Sequence, residues 1–312
     1  MGIKRKIVLK QIYSQKPIIV ILGPTASGKS DLAVELARRF NGEVVSADSR
    51  QVYKGMDISA GKITKKEMKG VPHYLLDVAS PKRIFTAAQY QKLARAAIKK
   101  IWQEDKLPII CGGTGHYIQM VIDNLQIPKV QPDWQLRQKL EKQSAEKLYQ
   151  WLEKLDPRRA KNIDRFNRRR LIRAIEIVKI SGRPVPPFQI KPQKNVLILG
   201  VKKPLPEIKK LIAKRLKKRL RHGMIKEVKK LRFENKISWE KIESFGLGYR
   251  WISLYFKNGI AKKKLFEKIC QAEKNYAQRQ MTWFRRDKRI KWIKNFKEAE
   301  KVIKQFYLRA IN

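Results

Sequence analysis

Cysteine is almost missing. Cys111 and Cys270 are the only two in 312 residues, and neither belongs to a CxxC pair. Histidine adds only His73, His116 and His222. That inventory argues against both a disulfide framework and a structural zinc site. Long apolar runs are missing too. The longest are short stretches such as 18–22 and 196–199, far below the roughly 20 residues of a spanning helix, so no membrane segment is expected. The start, MGIKRKIVLKQIYSQKP, is basic but lacks a long apolar region followed by a small-residue cleavage site. Lys6 stands where the myristoylation pattern requires Ser or Thr. The cytoplasm is therefore the expected location. Acidic residues are also scarce: 27 Asp+Glu face 73 Lys+Arg, a net charge of +46.

A surplus of that size points to a polyanionic partner, because neutralising phosphates releases counterions and supplies most non-specific nucleic-acid affinity. Residues 201–312 carry a net +24 from 34 Lys+Arg and 10 Asp+Glu, so the carboxy-terminal third is the most basic stretch per residue. With 43% hydrophobic residues the chain can bury a sizeable core. Its length fits two ordinary domains, or one large domain carrying an insertion.

Residues 17–22 read as a buried strand and 30–40 as a helix with Leu32, Val34, Leu36, Ala37 and Phe40 on its apolar face. GEVVSADS is a second strand entering a loop, 86–103 a second helix, and LPIICGGTG a third strand ending in glycines. This alternation predicts an α/β, three-layer core with a parallel sheet. After Tyr117 the pattern changes. Pro128 and Pro132 mark a break, and residues 133–180 read as helices only, closed by the proline-rich GRPVPPFQIKPQ. NVLILGV then returns to strand, and the chain beyond Leu205 reads as helical and basic. The expected organisation is a first part of the core at 1–121, a helical insertion domain at 122–195, and the rest of the core with a basic helical region at 196–312.

GPTASGKS fits GxxxxGK[ST], between an apolar strand and a helix as that motif requires. Gly23, Pro24, Thr25, Ala26, Ser27 and Gly28 would close backbone N–H groups around phosphate oxygens. Lys29 would reach the terminal phosphates, and Ser30 would hold magnesium. An ATPase or kinase would normally show an acid at the end of the strand LPIIC, and none is there. The acid appears after the preceding strand instead, as Asp48, facing the phosphate cradle across the strand ends. Asp48 suits a general base at least as well as a metal ligand. It is also placed to cap a local helix with Ser49, and GGTG also reads as a tight turn. These absences favour a transferase that holds a leaving pyrophosphate.

The segments GPTASGKS, SADSRQVYKGMDI, VPHYLLD, GGTGHY, RRRLIRAIE, GLGYR and YAQRQMTWFRRD, in this order from about residue 17 to 287, resemble those of the tRNA dimethylallyltransferases of bacterial type. The resemblance implies a P-loop fold and a magnesium-dependent transfer. Dimethylallyl diphosphate would give its five-carbon group to N6 of adenosine-37, in tRNAs reading codons that begin with U, and pyrophosphate would leave. It implies Asp48 as the base, with Thr114 and Lys29 beside it, and adds Arg215 to the phosphate loop as a diphosphate ligand. The implied tRNA contacts are Asp48, Ser49, Arg50, Gln51 and Thr114, with Arg137, Arg169, Arg170, Leu171, Ile172 and Arg173. Phe245, Gly246, Leu247, Gly248, Tyr249 and Arg250 form a further stretch, as do Gln278, Arg279, Gln280, Met281, Thr282, Trp283, Phe284 and Arg285. The family's DIGTAKP stands here as DISAGKI, and His116 follows GGTG. The resemblance also implies that the insertion domain contacts the tRNA anticodon stem-loop, and that the protein is a monomer.

Two other readings stay open at this level. A small-molecule or nucleotide kinase would use ATP at the same loop but leaves the basic tail unexplained. A prenyltransferase of free adenine nucleotides shares the scaffold, and the basic tail argues for tRNA over it.

Overall fold

The computed structural model describes residues 15–128, 130–187 and 189–311; the amino-terminal segment read for targeting signals lies almost entirely outside the described residues. Along the chain run β1 (Ile18–Leu22), α1 (Lys29–Arg39), β2 (Gly42–Ser46), α2 (Lys65–Met68), β3 (His73–Tyr74), α3 (Ala87–Gln103), β4 (Leu107–Gly112) and α4 (Gly115–Ile122). A helical stretch follows: α5 (Trp134–Glu141), α6 (Ala145–Leu155), α7 (Pro157–Lys161) and α8 (Arg168–Ser181). The chain then forms β5 (Val196–Val201), α9 (Leu205–Arg221), α10 (Met224–Phe233), α11 (Trp239–Ser244), α12 (Leu247–Asn258), α13 (Lys262–Phe284), β6 (Lys291–Ile293) and α14 (Phe296–Ile311).

Among the described residues the strands form one six-stranded sheet in the order β3-β2-β4-β1-β5-β6, with every neighbouring pair parallel. Parallel strands covered on both faces read as continuous apolar runs, and β1 (IIVIL) is buried at every position. Its side chains alternate between the layers, as the period of two requires. Ile18, Val20 and Leu22 join the core that contains Ile98 of α3 and Ile212 of α9. Ile19 and Ile21 join the one that contains Leu36 of α1 and Ile303 of α14.

Two features differ from the sequence reading. The tail beyond Leu205 is not wholly helical, because Leu199, Gly200 and Val201 pair with Lys291, Trp292 and Ile293 of β6. Three residues are too few to show an alternation, and only pairing with β5 makes them a strand. His73–Tyr74 likewise becomes a strand only by pairing with Val44 and Val45.

Residues Leu125–Lys191 form a compact unit of their own, separate from the described residues on either side of them; the sequence reading had set that insertion at 122–195. Leu148, Leu152, Leu171 and Ile175 build its core. Asp156 ties it together, with Oδ1 accepting from the Arg159 N–H at 2.9 Å and Oδ2 from the Val185 N–H at 2.7 Å.

Candidate active site

Three strands that are neighbours in the sheet end side by side, and each ends in a chemistry-bearing loop. Leu22 of β1 is level with Gly112 of β4, and Cys111 of β4 with Ser46 of β2. The phosphate loop, the GGTG turn and the Asp48 turn therefore open on one edge, where parallel α/β sheets place ligands.

The loop of residues 23–30 enters α1 through Gly28, whose φ of 87° lies in the left-handed region that glycine adopts at little cost. No side chain caps α1 at this end, so its first-turn N–H groups are left for an anion. Lys29 folds back over the loop, its Nζ donating to the Pro24 carbonyl at 3.2 Å. Burial lowers its pKa, the Asp48 charge opposes that shift, and Arg215 reinforces it. An ammonium deprived of water in this way gains most from a bound diphosphate.

Asp48 follows β2 and caps its own turn: Oδ1 accepts from the backbone N–H groups of Arg50 at 2.8 Å and Gln51 at 3.3 Å. The capping and the catalytic readings of Asp48 are thus compatible, because the turn fixes the direction of the carboxylate. Thr114 sits at the amino end of α4 but makes no side-chain cap. Instead its Oγ1 accepts from the Ser49 N–H at 3.0 Å, and its own N–H donates to Ala47 O at 3.1 Å. These two bonds clamp the Asp48 turn to the GGTG turn.

Helix α13 closes the site. Glu273, Tyr276 and Gln280, spaced i, i+3 and i+7, fall on one face and all line the same cavity of about 320 Å³. Gln280 is buried and bridges two loops, accepting from the Thr25 N–H at 2.8 Å and donating to Gly113 O at 2.9 Å. Burial, then the Asp48 charge, push the Tyr276 pKa up to about 12. From α9, Arg215 and Arg219 line the cavity one helical turn apart. Arg219 donates to Ser59 O at 3.0 Å and pairs with the buried Glu273. Glu227 of α10 holds the neighbouring loop, accepting from the N–H groups of Asp57 at 2.8 Å, Ile58 at 2.6 Å and Ser59 at 3.0 Å.

The cavity wall includes Lys29, Ser30, Asp48 and Arg215, and Thr114 is joined to it through Ser49. Of the residues expected to face RNA, Ser49, Arg50, Gln51, Phe245, Gly246, Leu247, Tyr249, Arg279 and Gln280 also line it. Arg50 Nε donates to Phe245 O at 2.5 Å, joining two of those stretches. Gly248 and Phe284 are buried, whereas Arg250, Gln278, Thr282 and Arg285 are exposed and Met281 half-buried. Trp283 packs on Gly115, where a Cβ would meet the indole at 2.3 Å, so the last glycine of GGTG is fixed by a side chain of α13. In the helical unit Arg169 and Arg170 are exposed and Leu171 and Ile172 buried, while Arg137 and Arg173 both pair with the fully buried Glu176.

Tyr276, Arg219, Glu273 and Glu227 were missed by the sequence reading. For Tyr276 and Glu273 a signal existed, since helical spacing back from Gln280 lands on them. Arg219 lies four residues from Arg215. Nothing local marks Glu227, whose partners are about 170 residues away.

The fold and this edge define a P-loop α/β protein whose cavity pairs a phosphate cradle with a carboxylate and a hydroxyl. The family described as IPP transferase matches residues 51–287. A tRNA dimethylallyltransferase of Acetivibrio thermocellus is 39% identical over 93% of this chain and 97% of its own length. Another, tRNA dimethylallyltransferase 1 of Geotalea daltonii, is 41% identical over 88% and 90%. Among solved structures, the full-length tRNA isopentenylpyrophosphate transferase of Bacillus halodurans superposes with a TM-score of 0.70 at 33% identity, covering 95% of this chain and 97% of that one. A eukaryotic dimethylallyltransferase acting on tRNA gives a TM-score of 0.72 at 26% identity, over 86% of this chain and 69% of that one. The chain belongs to the IPP transferase family.

Proposed function

We propose that the chain is a tRNA dimethylallyltransferase: it moves the dimethylallyl group of dimethylallyl diphosphate to N6 of adenosine-37 and releases pyrophosphate. The observation that carries this reading is that Lys29 and Asp48, beyond the ends of the two strands that flank β4, line one cavity, with Thr114 bonded to the Asp48 turn through Ser49.

The N6 lone pair is delocalised into the adenine ring, so it attacks well only if its proton is removed as the bond forms. Asp48, held through Oδ1, offers its carboxylate for that proton, and the N6–C1 bond forms as the C1–O bond to the diphosphate breaks. The electron pair leaves with pyrophosphate, whose growing charge faces Lys29, Arg215 and the uncapped N–H groups of α1. The Thr114 hydroxyl, bonded to the Ser49 N–H, stands beside Asp48 to orient the acceptor amine. A base stacked in its loop cannot reach such a cavity, so adenosine-37 enters flipped out of the stack. The surplus of +46 then serves the RNA.

Magnesium fits this site as a passenger on the diphosphate. Ser30 lines the cavity, and among the described residues no group of three His, Cys, Asp or Glu gathers to hold an ion, which matches an ion bound mainly through substrate phosphates and water. Bound there it would neutralise charge on the leaving group. The enzyme would act as a cytoplasmic monomer, and among the described residues no helix is long and apolar enough to cross a membrane.

The direct test supplies radiolabelled dimethylallyl diphosphate and magnesium to an anticodon stem-loop containing A36-A37-A38, with AMP and a loop lacking A37 as controls. Label in the A37 stem-loop alone is expected. Label in AMP would move the assignment to a nucleotide prenyltransferase, and label in neither would end it.

A further inference from the structure

The helical unit carries an aromatic ring that its own fold does not use. Phe166 is 78% exposed, the most exposed large hydrophobic side chain among the described residues. It stands at the corner between α7 and α8, in the sequence DRFNRRR, and burial in the core of the unit falls to other residues.

The corner is built rigidly. Asp164 Oδ1 accepts from the Phe166 N–H at 3.1 Å, and the Asn167 N–H donates to Asp164 O at 3.0 Å. Asn167 then caps α8, its Oδ1 accepting from the Arg170 N–H at 3.2 Å. Arg165 lies over the Phe166 ring at 5.5 Å from its centroid and over Tyr149 at 5.2 Å, and it bridges to Glu146 at 3.0 Å. A ring held out to solvent on a fixed backbone, with one guanidinium against it, has lost little conformational freedom still to lose on binding.

The surroundings name the partner. Asn167 follows the ring, and then come Arg168, Arg169 and Arg170, which are exposed, with Arg168 donating to Glu141 O. The acids at the corner are already engaged, Asp164 by the backbone and Glu146 by Arg165. An aromatic face ringed by unmatched positive charge suits a stacked base with phosphates on either side, and it does not suit an apolar protein surface, which would have to desolvate several arginines. We propose that Phe166 stacks on an unpaired base of the RNA substrate while Arg168, Arg169 and Arg170 contact the flanking phosphates. This adds a base contact to the RNA contacts already expected of the helical unit, and it rests on the tRNA reading above.

The test uses the full chain and the A37 stem-loop, with Phe166→Leu, Phe166→Ala and Phe166→Tyr compared with wild type. Because the side chain is exposed and Arg165 keeps Glu146 and Tyr149, all three variants should melt at the wild-type temperature. Stem-loop affinity should fall about 5- to 100-fold in the Leu and Ala variants, as loss of one base–aromatic stack does, and the Tyr variant should retain it. With 2-aminopurine placed at each unpaired position in turn, wild type should quench one position more than Phe166→Leu does. Equal affinity and equal quenching in Leu and wild type would overturn the proposal while leaving the transferase intact. If wild type itself neither bound nor modified the stem-loop, the tRNA reading would fall first, and this inference with it.

Discussion

Glu176→Gln gives a sharp test of how the helical unit is held. The carboxylate is fully buried and accepts four hydrogen bonds: Oε1 from the Asp133 N–H and Arg137 Nε, both at 2.8 Å, and Oε2 from Arg137 Nη2 at 2.8 Å and Arg173 Nη1 at 2.5 Å. The amide oxygen of glutamine can replace only one of those oxygens. Its NH2 group would then face two guanidinium donors, and both arginines would lose their counter-charge. Removing one partner of a buried ion pair costs about 3–5 kcal/mol. Arg137 and Arg173 are 22% and 29% exposed and regain some water, which brings the expected loss to roughly 2–4 kcal/mol. For a unit of this size that is a fall in melting temperature on the order of 10 °C, read by circular dichroism with limited proteolysis of the 125–191 segment.

The same substitution has a pH signature. Burial alone would raise the Glu176 pKa, but the hydrogen bonds from Arg137, Arg173 and Asp133 outweigh it and hold the carboxyl below its ordinary 4.5. A depressed carboxyl contributes stability that is full above the unfolded value and is lost as pH falls through the folded one. The gap between wild type and Glu176→Gln should therefore be widest near neutral pH and shrink below pH 4.5. A variant that melts within about 2 °C of wild type at pH 7, a shift worth well under 1 kcal/mol, would refute the reasoning and would return Arg137 and Arg173 to RNA contact alone.

Two further outcomes concern the site. Asp48→Asn keeps an oxygen for the Arg50 and Gln51 N–H groups, so the turn and stem-loop binding should survive while single-turnover transfer falls by about 10²-fold or more; near-normal transfer would remove Asp48 from the role of base. Gln280→Leu leaves the Thr25 N–H and Gly113 O without the partner that joins them, at about 1–3 kcal/mol each, so both the melting temperature and donor affinity should drop, and an unchanged donor KM would mean the bridge does not shape the loop.

Much of this was legible in local pattern. The phosphate loop announced itself through Gly23, Gly28, Lys29 and Ser30 between an apolar strand and a helix, and Asp48 and GGTG stood at strand ends that parallel topology had to bring together. The helices of the insertion followed from their spacing. What stayed hidden is what tertiary pairing alone creates. β6 exists because β5 has a free edge, and Glu227 matters because three N–H groups of a distant loop turn toward it. Gln280, expected on the RNA side, also ties the phosphate loop to the GGTG turn, because α13 crosses both. Leu171 and Ile172, expected among the RNA contacts, have buried side chains; a motif fixes a residue's neighbourhood without saying which of its atoms reaches the surface.

The position of the acid carries the final step of the argument. β4 lies between β1 and β2, so a metal-binding acid for nucleotide hydrolysis would be expected at its end, next to the phosphate loop. Cys111 stands there, with Sγ 3.6 Å from Lys29 O, and burial first of all pushes its pKa up to about 11. A neutral thiol packed beneath the loop supplies no charge to a phosphate-bound ion. The carboxylate sits one strand further out, on β2, and reaches the cavity only because Thr114 draws the Asp48 turn against the end of β4. That displacement sets the acid on a different strand from the one beside the phosphate loop. Under the proposed function, a scaffold shared with phosphate-transferring enzymes would hold a diphosphate while Asp48 takes the proton of the incoming amine.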